Sequence, residues 1–404
     1  MDDDDVTHTG DATLLRRVNE SAVLEVIRES GPVTRADVAR RLRLSLPTIT
    51  RIVTNLMNGG LVREHSAGRS RGGRRPTLLE FNFRANLIVG IYIGRNMVGG
   101  LADLNGTILQ RATCPAVPGE AGVEALIELI RELSAEATRL GVSLRGIGVG
   151  VPSIVEFPKG VVVLSPMLDW RDLPLRQLLQ EKLGLPVVVQ NEINLLTLGE
   201  SWRGAGRNIR NMVCISLGAG IGAGLVIDGQ IFSGHHFAAG EIGYAVPSER
   251  FLGRKYETYG CLESVSGSHG IVRRAACRLA EGELSLLNHR PASNGALTVD
   301  DVFEAARAGD AVARAVLAET FDFWSIALAN LACIIDPARI VISGELAEYS
   351  DLFLDHICDR LDGLVPAMPE VVVSELGMDA AVLGAVALVL RETSDAVFVY
   401  PSRS

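Results

Sequence analysis

Residues 212–244 limit the possible folds more than any other part of this 404-residue chain. Met212–Leu217 is an apolar run that reads as a buried strand. Gly218, Gly220, Gly222 and Gly224 then fall at every second position. Glycine in an extended segment has no side chain to pack, so such a run marks close approach by a ligand or another backbone. Residues 225–227 continue the strand, and Asp228-Gly229 signals a hairpin turn. Glu241 follows, between Gly240 and Ile242-Gly243. The expected unit is a strand–turn–strand that presents a glycine-lined cleft beside one carboxylate. The plainer alternative is a hairpin that merely packs tightly.

Charge divides the chain in two. Residues 14–84 hold fourteen Arg, no Lys and six acidic residues, a net +8, whereas the whole chain carries −9 and the remainder therefore −17. A basic head on an acidic body points to a polyanionic partner for the head. The length implies more than one domain, and an apolar share of 48% is that of a soluble globular chain. No run of about 18 uninterrupted apolar residues occurs, so no membrane span is expected. The longest candidates, residues 324–335 and 380–390, read as buried helices. Met-Asp-Asp-Asp-Asp at the start is the opposite of a secretory signal, and residues 1–13 read as a disordered acidic leader. Six scattered cysteines without a C-x-x-C pair read as the reduced thiols of a cytoplasmic protein.

Within the basic head, Leu15, Val18, Ala22, Val23, Val26 and Ile27 form a helical stripe, stopped by Ser30-Gly31-Pro32. Thr34 suits the N-cap of a helix over residues 35–42. Ser45 caps a third helix with Pro47 in its first turn. There Ile49, Ile52, Val53 and Leu56 at i, i+3, i+4 and i+7 bury one face, which leaves Thr48, Thr50, Arg51, Thr54 and Asn55 outside. Two helices joined by a tight turn, the second carrying hydroxyl and guanidinium groups outward, form the helix-turn-helix pattern that fits the major groove. Two short strands, residues 61–64 and 77–81, flank a loop with four Arg and three Gly that reads as a wing against the phosphates or a narrow minor groove. The plain alternative is a helical bundle with a solvated face. The candidate contacts with double-stranded DNA are Arg35, Ser45, Thr48, Arg51, Arg69, Arg71, Arg74 and Arg75, with Thr48 and Arg51 on bases.

From residue 87 strands and helices alternate, which indicates α/β layering. Strands are expected near residues 87–94, 97–103, 107–113, 147–152, 161–164, 186–190 and 339–344, and helices near 121–140, 191–201, 310–335 and 380–391. Trp170-Arg171-Asp172-Leu173-Pro174 is read as opening a helix through Leu183, and Thr298 as capping another with Asp301 at its third position.

The central unit resembles that of the ROK family, which has a glycine-rich second phosphate loop, a short hairpin and then Gly-Glu-Ile-Gly-His; here Tyr244 stands in place of the His. The head, with Ser-Arg-Gly-Gly-Arg-Arg-Pro-Thr-Leu-Leu-Glu-Phe-Asn at 70–82, resembles the winged head of the xylose-repressor branch of ROK regulators. The resemblance runs from about residue 85 to 391. It implies a two-lobed actin/hexokinase-like (ribonuclease H-like) body: 85–190 with the C-terminal helix 380–391 as first lobe, 191–379 as second, and the ligand between them. The winged helix-turn-helix occupies 14–84.

The resemblance also says what a ROK sugar kinase needs. Its first phosphate loop is Asp-x-Gly-Gly-Thr, and the matching residues here are Tyr92-Ile93-Gly94-Arg95-Asn96. The second loop has Ala219 for Thr, and the adenosine-side turn is Ser343-Gly344 rather than Gly-Gly. These departures argue against ATP and against magnesium, which loses its main oxygen ligand. The catalytic Asp is Glu192 in Asn191-Glu192-Ile193-Asn194, so its work as a transfer base is in doubt. The zinc ligands of many ROK proteins correspond to Tyr244, Arg254, Tyr256 and Cys261, and one ligand of four leaves no tetrahedral site. No cofactor or metal is expected. The sugar side keeps Asn191, Glu192, Glu241 and Glu263, groups that accept from vicinal hydroxyls, while Met167 and Tyr244 replace an Asn and a His. These six are the candidate effector contacts.

The expectation is a transcriptional regulator, a repressor of carbohydrate genes, homodimeric or higher, without enzymatic activity and answering to a sugar-like effector. Two alternatives stand beside it: a sugar kinase with an appended DNA head, and a constitutive DNA-binding protein whose body only dimerises.

Overall fold

A computed structural model describes residues 12–65, 77–256, 260–289 and 295–393. The head begins with α1 (Ala12–Ser30), so residues 12 and 13 of the expected leader are helical. A short strand β1 (Val33–Thr34), then α2 (Arg35–Leu42) and α3 (Leu46–Asn58), follow. Thr34 accepts the N–H of Asp37 at 3.1 Å and Ser45 that of Thr48 at 3.3 Å, so both helices start where a side-chain oxygen satisfies a free amide. Arg43 makes the turn between them in the left-handed region, at φ 54°. β2 (Val62–His65) and β3 (Leu78–Phe81) form the wing, with β1 on the far edge of β3. Val23, Ile27, Val38, Ile49, Ile52, Val53, Leu56, Leu79 and Phe81 make the head core. The wing tip, with Arg69, Arg71, Arg74 and Arg75, lies outside the described residues.

Beyond residue 85 the described residues form two five-stranded sheets and a smaller third. The first contains β4 (Leu87–Ile93), β5 (Asn96–Asp103), β6 (Ile108–Pro115), β7 (Leu144–Val151) and β11 (Val187–Asn191), ordered β11-β7-β4-β5-β6. Helices α4 (Glu120–Arg139) and α5 (Leu175–Leu183) flank it, and β8 (Ile154–Glu156), β9 (Val161–Ser165) and β10 (Trp170–Leu173) form a small side sheet. α6 (Glu192–Arg203) leads into the second sheet, which is ordered β14-β13-β12-β15-β16 from β12 (Met212–Leu217), β13 (Ile221–Ile227), β14 (Gln230–Ile231), β15 (Arg339–Ser343) and β16 (Glu370–Val373). Helices α7 (Cys261–Ser266), α8 (Ser268–Ala280), α9 (Val299–Arg307), α10 (Ala311–Ile335) and α11 (Ser350–Leu361) cover it. α10 is long and apolar enough to cross a membrane by composition, yet Trp324, Phe321 and Leu328 sit in the core of this lobe. α12 (Asp379–Thr393) then returns to the first sheet, against β4 and β7.

Two expectations are corrected. Trp170–Leu173 is a strand paired with β9, and the helix starts only after Pro174. A residue before proline is pushed out of the helical region, and the Trp170 indole is anchored on the Gly119 carbonyl at 3.0 Å. The glycine run does not continue one strand either. The chain reverses at Gly218-Ala219-Gly220, with Leu217 paired to Ile221, so Gly222 and Gly224 lie on the return strand. The close approach is real at Gly224, where a Cβ would fall 1.8 Å from the Thr197 hydroxyl of α6.

α6 and α12 hold the two sheets together through backbone contact. A Cβ on Gly199 would fall 1.8 Å from the Ala380 carbonyl oxygen, and one on Gly384 1.7 Å from that of Leu195. α12 presses equally on the first sheet, where a Cβ on Gly90 would lie 2.6 Å from the Val382 oxygen. Any side chain at these crossings would force the helices apart.

Candidate DNA-binding face and effector cleft

The outer face of α3 is built by periodicity. With Ile49, Ile52, Val53 and Leu56 inward, Pro47, Thr50, Arg51 and Thr54 share the exposed side, with Leu46 beside them, 50% exposed. Arg51 makes no ion pair among the described residues. Thr48 is only half-exposed, and its hydroxyl lies 2.8 Å from that of Ser45, so this pair closes the helix start. Arg35 is held at 3.2 Å from Glu64 on the wing strand. Of the expected contacts, then, Arg51 stands on the open face, while Ser45 and Thr48 are engaged with each other and Arg35 with Glu64.

The residues expected to line the cleft come from the ends of elements. Asn191 closes β11 and caps α6: its Oδ1 accepts from Ile193 N at 2.9 Å and Asn194 N at 3.2 Å, while its Nδ2 donates to the Ser153 carbonyl at 2.9 Å. Asn191 thereby ties the end of the first sheet to the helix start and points Glu192 onward. The Glu192 Oε2 is shielded from solvent and has no hydrogen-bond partner. Burial first, then the nearby Glu241 and Glu263, push its pKa up to about 8, against the opposing pull of backbone hydrogen bonds at Glu192 and Ser153. Below that pH it is a carboxyl with a proton to donate. Glu263, in the first turn of α7, accepts the Ile221 N–H at 2.9 Å through Oε2. Burial raises its pKa, against the opposing effect of that hydrogen bond, and Glu241 raises it further. Burial also raises Glu241. Gly243 leaves room for this cluster, since a Cβ there would lie 3.0 Å from Glu263 Oε2. Among the described residues no cation pairs with any of the three acids.

Glu192, Glu241 and Glu263 are thus brought together, with Asn191 as the organiser. Met167 and Tyr244 are largely exposed, at 49% and 67%. One residue was missed: Asn194 is buried and its Oδ1 has no partner. Its signal was its spacing, three residues after Asn191 on the same helix. Nearby, Tyr92 folds back on Gly94, where a Cβ would lie 2.5 Å from the phenol oxygen. Burial raises the Tyr92 pKa, as do Glu192 and Glu345. Arg95 lies 3.5 Å from Glu345, next to Gly344. At the positions that match the family's zinc ligands, Cys261 Sγ donates to the Tyr256 hydroxyl at 3.4 Å.

A winged helix-turn-helix head on a two-lobed, sugar-kinase-like body is the class this architecture defines. The ROK family model matches residues 88–392, and a MarR family model matches residues 15–75. The chain is 29% identical over 392 residues to a xylose repressor of Caldicellulosiruptor bescii, covering 95% of this chain and 98% of the repressor. A glucokinase of Streptomyces coelicolor is 31% identical over 315 residues, 74% of this chain and 96% of the kinase. A crystal structure of a ROK family transcriptional regulator, described as a homologue of the E. coli MLC protein, superposes with a TM-score of 0.81 over 95% of this chain and 98% of that one, at 24% identity, which shows the fold alone. The chain belongs to the ROK family. It is a ROK transcriptional regulator with a MarR-like DNA-binding head, similar along its whole length to xylose repressors, whereas the kinase matches the body only.

Proposed function

We propose that the protein represses carbohydrate-metabolism genes as a homodimer and that a sugar or sugar derivative, bound between the lobes, alters its hold on DNA. The observation that carries this reading is the unpaired, shielded Glu192 Oε2 beside Glu241 and Glu263, at the start of a helix that runs toward the head. An unsatisfied buried polar group is costly, and a hydroxylated ligand removes that cost. The xylose repressor relatives put D-xylose first among the probes.

α6 offers the route from cleft to head. It starts at Glu192 and ends, about 18 Å away, at Trp202 and Arg203. Trp202 packs on the Gly106 turn, 3.0 Å from where a Cβ there would be. Arg203 donates to Asn105 Oδ1 at 2.5 Å and feels the charge of Arg28 on α1. At the same place Leu104 N–H donates to the Phe83 carbonyl at the end of the head, at 2.9 Å. An effector that favours one lobe arrangement shifts the heads only through differential affinity for the two states.

Against kinase activity stand Tyr92 folded on Gly94, and the Arg95–Glu345 pair joining the residues that match the family's first phosphate loop and adenosine-side turn. These residues do not fit a nucleotide and its metal. The test has two arms. D-xylose and a panel of hexoses and amino sugars are titrated against the full chain by thermal shift and by DNA release. ADP release over the same panel is followed in a coupled assay. Stabilisation with release of DNA supports the reading. Sugar turnover above background overturns the non-enzymatic part, and stabilisation by no sugar favours a constitutive DNA binder.

A further inference from the structure

Thr50 and Thr54 have turned their hydroxyls away from the groove-facing side of α3. Thr50 Oγ1 donates to the Leu46 carbonyl at 2.9 Å and Thr54 Oγ1 to the Thr50 carbonyl at 2.8 Å, each one turn back along the same helix. A threonine whose hydroxyl is spent in this way presents its methyl group outward. Leu46 and Pro47, both exposed, lie at the N-terminal end of the same face. The face that helix-turn-helix proteins lay on base edges here sets these apolar groups around Arg51, which makes no ion pair among the described residues, with the exposed Asn58 at its C-terminal end. The apolar group that double-stranded DNA displays in its major groove is the thymine 5-methyl, and the ordinary partner of an unpaired Arg is guanine O6 and N7.

We propose that Thr50, Thr54, Leu46 and Pro47 read thymine methyl groups, so that each half-site carries thymines flanking a guanine held by Arg51. This rests on the DNA-binding reading above and goes beyond it by naming the bases and assigning the selectivity to methyl groups rather than hydroxyls. Ser45 and Thr48, which bond each other, close the helix start and add no base choice.

Duplexes are first selected from a random library by the full chain. The selected site is then resynthesised with deoxyuridine for thymine, which removes only the methyls. Each methyl in contact is worth about four-fold in affinity, so a site with uridine in both half-sites should bind at least about ten-fold more weakly by fluorescence anisotropy. Thr50→Val keeps the methyl and discards the hydroxyl, and should retain both affinity and the thymine-over-uridine preference. Thr50→Ser does the reverse, and should bind more weakly and discriminate less. Equal binding of thymine and uridine sites overturns the proposal, as does loss of preference in Thr50→Val with retention in Thr50→Ser. Selected sites without thymine beside a guanine overturn it while leaving DNA binding intact. Recovery of no DNA overturns the DNA-binding reading itself.

Discussion

The head and the cleft prepare for their partners in opposite ways. On α3 the side chains are exposed and, Arg51 apart, the hydroxyls are already spent: Ser45 on Thr48, Thr50 and Thr54 on the helix itself. In the cleft two side-chain oxygens, Glu192 Oε2 and Asn194 Oδ1, are shielded and unspent. An exposed face loses little when free and gains affinity from charge and shape. A shielded, unsatisfied site is costly when free, and recovers that cost only from a ligand that completes its hydrogen bonds.

This contrast breaks most visibly with salt. Raising salt from about 50 to 200 mM should weaken DNA binding on the order of a thousandfold, since phosphate contacts release counterions. Sugar binding measured by calorimetry over the same range should change by less than about two-fold, because a shielded cluster is screened weakly. A parallel loss in both would erase the distinction.

Next in size is the cost of ionising Glu192. Its folded pKa, about 8, is above the usual carboxyl value of 4.5, so the folded state holds its proton longer than the unfolded state. Stability attributable to this group therefore falls as pH rises from about 4.5 to 8 and is constant above that. Glu192→Gln has no such loss. Urea denaturation should show the variant gaining on the parent across this window, by as much as about 5 kcal/mol. A pH-independent difference would show that Glu192 is solvated.

Arg51→Ala should cost ~1–3 kcal/mol of base discrimination and leave the salt slope nearly unchanged. Arg74→Ala, in the loop that the sequence marks as a wing, should weaken all sequences alike and lower that slope by about one. Footprinting at several salt concentrations checks both, and equal loss of preference in the two variants refutes the division of labour.

A smaller effect belongs to Trp202→Ala, which should leave sugar-induced thermal shifts and sugar-free DNA binding within about two-fold yet diminish release of DNA by the sugar, if α6 carries a coupling of ~1–3 kcal/mol. Smallest of all, Ser45→Ala removes the α3 cap and should lower head stability by ~1 kcal/mol in thermal melts.

Much of this was legible in the residues. The i, i+3, i+4, i+7 run Ile49, Ile52, Val53, Leu56 determines which face of α3 is buried, and so which face is left exposed. Thr34, Ser45 and Thr298 cap the helices expected of them, Thr298 with a reciprocal bond from its N–H to Asp301. These are local matters, settled within one or two turns of chain. Trp170–Leu173 was misread because its strand depends on pairing with β9, and the glycine run because the reversal at Gly218–Gly220 depends on β13 finding β12.

What the sequence determined by itself is therefore the periodic faces, the caps, the charge divide and the carboxyl-bearing residues at 192, 241 and 263. The tertiary structure alone decided that those three acids meet, that Asn191 is spent on holding Ser153 and the start of α6, and that α6 and α12 touch backbone to backbone through Gly199 and Gly384. The physical reason is range. Capping and amphipathic spacing act between neighbours in the chain, whereas desolvation of a carboxyl and the approach of two helices depend on atoms brought together from distant segments.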